Sequence, residues 1–367
     1  MNTYRLILTG LGNVGRNMLR ILDIQADLLR EQYDVKLNVV GVADSTGAAV
    51  NPHGLNVVAL HAIKANRNPI SSLPMFGKPG MSGLALVQQV EADILLEATP
   101  VDLKTGQPGL DIVRAALGKN MHCVLANKGP LALAFQELAS RSQNLRGPST
   151  IRTKSHNLPE DLRGLSPLPE LRFSGCVGGA LPTINIGIRD LAGARITKVE
   201  AMVNGTCQGI LRLMEEGQTF ESALSEMQRR GVVEPDPLLD IDGWDEAVKL
   251  VIIANAVLRR PTVLSDLSVK GIRDLTQRDL HAAAQRGERI VLLGLAERDS
   301  EIEDWRLSVA PVSLPLAHPL ARMSGDEMGV VYHTDIAGII HASALETEAT
   351  PTAAAMLRDV LDIVRTI

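Results

Sequence analysis

Aromatic side chains are scarce in this chain, with two tryptophans, three tyrosines and four phenylalanines among 367 residues. A single-stranded nucleic-acid groove needs aromatic platforms beside clustered basic residues, and no basic cluster stands out in a chain of net charge −5. No nucleic-acid partner is therefore expected. Long apolar runs are missing as well: no window reaches the roughly eighteen uninterrupted apolar residues that a spanning helix requires, so no membrane partner is expected either. Cysteine is almost absent. Cys123, Cys176 and Cys207 are an odd number at spacings that suit neither a disulfide framework nor a structural zinc site, which predicts reduced thiols and no protein-held metal. The N-terminal residues enter a strand pattern instead of a signal peptide, which predicts a cytoplasmic protein.

The 45% hydrophobic and 22% charged content is that of an ordinary globular protein, and the length favours two domains or one large α/β unit. Short β-rich runs ("YRLILTG", "LNVVGVADS", "ADILLEATP", "MHCVLANKG") alternate with helical patterns ("NVGRNMLRILDIQADLLREQY", "GLDIVRAALGKN"). This alternation predicts an α/β fold, a Rossmann-type doubly wound parallel sheet forming a dinucleotide-binding domain over 1–142. Residues 143–170 carry four prolines and little periodicity, as a loop or insertion would. Over 171–349, strand-like pieces ("ELRFSGCVGGALPTINIGI", "ARITKVEAMVNGTCQGIL") and further helix patterns predict an α+β catalytic and dimerisation domain. A Thr-Pro start and helical spacing make 350–367 a closing amphipathic helix, expected to pack back on the first domain.

Gly10, Gly12 and Gly15 form G-x-G-x-x-G between the first strand and a helix. That context permits a tight turn, the approach of a pyrophosphate to backbone N–H groups, and close helix–strand packing. Asp44 ends the second strand, where a carboxylate receives ribose hydroxyls and repels a 2′-phosphate, which favours NAD over NADP. Capping of a turn is the other reading of Asp44, and Lys64 or Arg67 could still assist a phosphate.

The stretch "EPDPLLDIDGWDEAVKLVIIANAVL" sets six acids in thirteen positions before an apolar helix broken by Lys249. Asp242 reads as a helix N-cap, with Asp245 in the first turn where the dipole favours negative charge. Asp245 and Lys249 lie i, i+4 on one helical face. A buried ammonium beside a carboxylate suits proton exchange with a substrate oxygen, and it equally suits a structural ion pair. Glu234, Asp236 and Asp240 stand in a proline-bounded loop, as a site for an ammonium-bearing substrate or as ordinary loop charge. Asn127 and Lys128 follow a β run, at the strand end where open α/β sheets bind ligands.

Taken with "GLGNVGRNML", "KTGQPGL", "NKGPLA", "GALP", "NGTCQGIL", "GVVEPDPLLDIDGWDEAVK" and "PTAAAMLRDV", in that order along most of the chain, the sequence resembles the short, catalytic-domain-only homoserine dehydrogenases. The resemblance implies a small-molecule substrate, an NAD(P)-dependent interconversion of L-homoserine and L-aspartate 4-semialdehyde, and a homodimer. It places Lys249 and Lys128 as active-site lysines, with Lys249 exchanging the proton, and Asp245 beside the substrate hydroxyl. It puts substrate contacts at Glu234, Asp240, Cys176 and Gly205. Cofactor contacts fall on Gly10, Gly12, Asn13, Val14 and Gly15, on Thr99 and Pro100 after the fourth strand, and on Asn127.

Three loops depart from the family pattern. "SGCVGGALP" has Ser174 where relatives carry a glutamate that helps hold a monovalent cation, leaving cation binding open. "NGTCQG" brings Cys207, Gln208 and Gly209 into the site lining, and "HASALETEATPTA" replaces a glycine-rich loop with Glu346 and Glu348. These departures keep three other readings in play: a dehydrogenase of another small hydroxy compound, a thiol enzyme using Cys176 or Cys207, and a catalytically silent NAD-binding protein.

Overall fold

Leu6, Ile7 and Leu8 have no solvent exposure in the first strand, β1 (Asn2–Thr9). An uninterrupted apolar run belongs to a strand covered on both faces, and β1 lies inside a seven-stranded sheet. The computed structural model describes residues 1–145, 168–230, 237–299, 301, 303–346 and 348–365. These fall into two compact units, Met1–Cys176 with Ala349–Ile367, and Val177–Glu348.

The sheet of the first unit contains β2 (Val35–Asp44), β3 (Gly47–Val50), β4 (Gly77–Pro79), β5 (Ile94–Glu97), β6 (His122–Leu125) and β7 (Leu171–Arg172). Its order is β4-β3-β2-β1-β5-β6-β7. From β2 to β7 the pairings are parallel, whereas β3 and β4 extend the edge antiparallel. These two short strands make the Thr99 turn follow the fifth strand in chain order instead of the fourth. Chain connections pass through the helices Asn13–Ile24, Val57–Ala65, Gly83–Gln89, Gly109–Gly118 and Gly129–Ser140. The pattern 13–33, which reads as one helix, is two: Asn13–Ile24 and Ala26–Tyr33 break at Gln25.

The closing helix Thr350–Val364 belongs to this unit. Ala353, Met356, Val360 and Ile363 join Leu6, Leu8, Met18 and Leu19 in one core, at the spacing that keeps a single helical face buried. Its buried Asp359 accepts the Ser174 N–H at 2.7 Å and the Ser174 hydroxyl at 2.6 Å. Burial pushes this carboxyl up to about 6, against the pull of the Ser174 bonds and of Arg358. Through this tie and the pairing of β7 with β6, residues 171–176 belong to the first unit. The boundary thus falls after Cys176, six residues beyond the sequence-derived one. Of the predicted 143–170 segment, 146–167 lies outside the described residues.

In the second unit β8 (Ile196–Met202), β9 (Ser268–Val269), β10 (Glu288–Asp299), β11 (Asp304–Pro315), β12 (Glu327–Thr334) and β13 (Ile339–Leu345) form a mixed sheet ordered β13-β12-β8-β10-β11-β9. The piece "TINIGI" is helical here, not strand: Thr183–Asn185 continues into a wider turn over Ile186–Asp190. Every residue from Glu246 to Ala256 is buried in the helix Trp244–Ala256. Asp242 is not its N-cap. That position is Gly243, at φ +86°, while the Asp242 carboxylate pairs with Arg273 at 2.9 Å. At the sheet edge β13 leaves Ile339 62% and Leu345 64% exposed, with Ile336 76% exposed just before it.

Candidate active site

The glycine turn follows β1 directly. Gly10 has φ +85°, and a Cβ there would stand 2.2 Å from the Ala98 carbonyl oxygen; at Gly15 it would stand 2.0 Å from Gly10 O. Both glycines are demanded by close backbone approach. At Gly12, by contrast, a Cβ would meet no protein atom within 4 Å. The turn is therefore open on that side. Gly12 is the N-cap of the helix Asn13–Ile24 and supplies no side-chain cap, so the N–H groups of the first turn are available to an anion. Asn13 is exposed and accepts from Arg16 at 2.6 Å, and half-buried Val14 packs on the core. An open glycine cradle at an uncapped helix start fits a dinucleotide pyrophosphate.

Asp44 ends β2, next to β1. One of its oxygens accepts from Thr46 N at 2.8 Å and from the Thr46 hydroxyl at 2.6 Å; the other pairs with Lys64 at 2.6 Å. Burial alone would raise its pKa, but the Lys64 and Thr46 bonds outweigh it and hold the carboxyl below its ordinary value. Asp44 therefore both caps a turn and presents a charged carboxylate at the strand end.

After β5 and β6 the chain builds a small polar lattice. Glu97 is fully buried and accepts from both the N–H (2.9 Å) and the hydroxyl of Thr99. Asn127 donates to Thr99 Oγ1 at 3.1 Å and to Pro100 O at 3.4 Å, and accepts from Gly129 N at 2.9 Å. Gly109 makes room, since a Cβ there would stand 2.5 Å from the Asn127 amide nitrogen. Burial pushes the Glu97 carboxyl up to about 7, with its Thr99 bonds opposing. The lattice fixes the turn Thr99–Pro100 beside half-buried Lys128, which opens the helix Gly129–Ser140. Sequence reasoning missed Glu97, whose only signal is a carboxylate closing an otherwise apolar strand.

In the second unit, Lys249 is 8% exposed and pairs with Asp245 Oδ2 at 2.7 Å, and its ammonium also donates to the Val203 carbonyl. The Asn204 amide donates to Asp240 Oδ1 at 2.8 Å and to Asp245 Oδ2 at 2.9 Å, so one amide bridges two carboxylates. Asn204 also caps the helix Gly205–Glu215 by accepting from Cys207 N. Burial would lower the Lys249 pKa, but Asp245 and Glu246 outweigh it, and the ammonium is held above its ordinary value. Beside this cluster the half-buried Gly205 is open: a Cβ there would meet nothing within 4 Å. The group can hold a proton on a nitrogen shielded from bulk water, next to fixed acceptors. Asn204 shows in sequence as the first residue of the element "NGTCQG", whereas the Val203 carbonyl gives no sequence signal at all.

Other sequence-derived residues behave differently. Glu234 and Asp236 lie outside the described residues. Cys176 is 2% exposed, and its thiol donates to Leu125 O at 3.3 Å inside the first unit. Cys207 is fully buried on Asp240 O, and burial with the nearby Asp240 charge raises its thiol well above the usual range, the reverse of what a nucleophile needs. The Glu346 carboxylate lies against Gly179, where a Cβ would fall 1.6 Å from it. Among the described residues no group of three His, Cys, Asp or Glu is placed to hold a metal ion.

A parallel sheet with a glycine cradle at its first strand, joined in one chain to a shielded acid–lysine cluster, defines an NAD(P)-dependent oxidoreductase acting on a CH–OH group. The homoserine dehydrogenase NAD-binding domain family matches residues 10–146, and the homoserine dehydrogenase family matches 182–361. A homoserine dehydrogenase from Methanocaldococcus jannaschii is 33% identical over 98% of both chains. An NAD(+)-dependent homoserine dehydrogenase from Pseudomonas canavaninivorans is 31% identical over 99% of this chain and 97% of that one. The crystal structure of a putative homoserine dehydrogenase from Archaeoglobus fulgidus superposes with a TM-score of 0.80 at 28% identity, covering 98% of this chain and 99% of that chain. The chain belongs to the homoserine dehydrogenase family.

Because a methyl group at position 12 meets no protein atom, Gly12→Ala should keep the wild-type unfolding temperature yet weaken NAD binding by about tenfold or more in a fluorescence titration. Wild-type affinity in that variant would mean that the turn does not receive the pyrophosphate.

Proposed function

We propose that the protein interconverts L-homoserine and L-aspartate 4-semialdehyde, using NAD in preference to NADP, with Lys249 exchanging the proton on the substrate oxygen. The observation that carries this reading is the Lys249 ammonium held between Asp245 and the Val203 carbonyl beside the open face at Gly205. When bound, the nicotinamide accepts or supplies the hydride at C4 of the substrate. What the chain supplies is a proton at a fixed place. In reduction the charged lysine gives its proton to the aldehyde oxygen as that oxygen gains negative charge; in oxidation neutral Lys249 takes the hydroxyl proton. Asp240 and Asp245, bridged by Asn204, offer carboxylate oxygens suited to the substrate ammonium and hydroxyl, with Glu234 as a further acid. The family resemblance makes Lys128 the second active-site lysine.

The NAD preference rests on Asp44. Its carboxylate stays ionised at the end of β2, where it suits ribose hydroxyls better than a 2′-phosphate, and Lys64 is already paired with it at 2.6 Å. The Pseudomonas relative is NAD(+)-dependent. As partner we assign a second copy of the chain to the β13 edge, where exposed Ile336, Ile339 and Leu345 accompany unpaired strand backbone, a surface that isolated monomers usually blunt.

Purified protein should form reduced nicotinamide from L-homoserine, with a larger kcat/KM for NAD than for NADP. Oxidation should quicken as pH rises, since the raised Lys249 pKa keeps the base form scarce at neutral pH, whereas reduction, which uses the charged form, should hold steady until the pH nears the lysine's own value. NAD binding without homoserine turnover, alongside rapid oxidation of another alcohol, would overturn the substrate. Sedimentation should show a dimer that Ile339→Lys converts to monomer; a wild-type monomer would sink the assembly proposed here.

A further inference from the structure

Glu246 sits in the helix Trp244–Ala256 one residue after Asp245 and three before Lys249, with no solvent exposure. An acid in the first turn of a helix ordinarily faces water and complements the dipole. This one points inward. Its Oε2 accepts the Val203 N–H at 3.0 Å, and Oε1 stands 3.3 Å from the same nitrogen. Mid-strand Gly294 of β10 clears the space: a Cβ there would lie 3.0 Å from Glu246 Oε1 and 3.5 Å from its Cγ. The Gly294 backbone amide opposes the rise in the Glu246 pKa.

Val203 is the residue that connects these contacts to the site. Its N–H is held by Glu246, its carbonyl receives the Lys249 ammonium, and the next residue, Asn204, bridges Asp240 to Asp245. The charged and titratable groups around Glu246 are Lys249 and Asp245 on its own helix and Cys207 on the helix Gly205–Glu215, while β10 contributes the neutral Gly294 amide. A buried carboxyl needs such partners to be tolerated at all.

We propose that Glu246 is a positioning residue for Lys249, fixing the Val203 peptide that holds the ammonium and biasing the lysine toward its charged form. The inference rests on the reading of Lys249 as the proton-exchanging group. Burial pushes the Glu246 carboxyl up to about 8, against the attraction of Lys249. Below that pH the group is neutral and mainly a hydrogen-bond anchor. Above it, the added negative charge beside Lys249 raises the lysine's own pKa, which delays formation of the neutral base.

Glu246→Gln keeps the volume and one carbonyl acceptor for Val203, so it tests the charge with the anchor largely retained. In NMR titrations of isotope-labelled lysine, the Lys249 midpoint should fall by about one pH unit in this variant, and the alkaline rise of homoserine oxidation should move down with it, with the KM for NAD unchanged. Glu246→Ala, which removes the anchor too, should lower kcat by about tenfold or more and also lower the unfolding temperature. An unmoved Lys249 midpoint in Glu246→Gln would overturn the proposal, as would a defect in both variants that appears only as weaker NAD binding. A midpoint that moves while the pH–rate profile stays fixed would support the tie between Glu246 and Lys249 and count against the proton-exchange role of Lys249.

Discussion

A charged amine in the wall of a buried helix is the constraint around which the second unit is arranged. Lys249 is tolerated because Asp245 stands one turn before it at 2.7 Å and the Val203 carbonyl takes another of its protons. Removing either partner from a buried ammonium costs several kcal/mol unless the charge is given up. The partners are in turn held from other elements: Asp245 by Asn204 at the end of β8, and the Val203 peptide by Glu246 and, through Glu246, by β10. One proton-bearing nitrogen thus draws together the helix Trp244–Ala256 and the two strands at the centre of the mixed sheet.

The first unit meets a different requirement, close approach of backbone to a polyanion. Gly10 and Gly15 are needed where a Cβ would overlap backbone, while Gly12 leaves its side open. The strand ends then supply the remaining groups: Asp44 after β2, and the Glu97–Thr99–Asn127 lattice after β5 and β6. Glu97 and Asp359 are both carboxyls raised by burial, to about 7 and about 6. A group whose folded pKa lies above its unfolded value contributes stability that is lost as pH rises through the folded value, so each favours the folded state most on the acid side of neutrality.

What could be read from sequence was whatever depends on local pattern. The apolar run of β1, the glycine spacing and the i, i+4 pair Asp245–Lys249 are each visible within a few residues, and each has the geometry its pattern implies. Short strands were less legible, since three- and four-residue β4 and β3 carry too little periodicity to show. Asp242 has the residue type of an N-cap, yet Gly243, able to adopt φ +86°, takes that role and frees Asp242 for Arg273. Contacts between distant segments left no trace: Glu246 with Val203 is 43 residues apart, and Ser174 with Asp359 is 185. Ser174 read as a lost cation ligand, whereas in the fold its hydroxyl and N–H secure the closing helix. The thiol reading of Cys207 failed for the same reason, because burial and neighbouring carboxylates are properties of the packed structure.

The most direct test is turnover and NAD affinity of Lys249→Ala measured on the same preparation. Homoserine oxidation should fall by roughly two to four orders of magnitude while NAD binds as in the wild type, because the cofactor turn belongs to the other unit and the lost group acts on the substrate proton. Unimpaired turnover in that variant would contradict this role and return Lys249 to a structural ion pair.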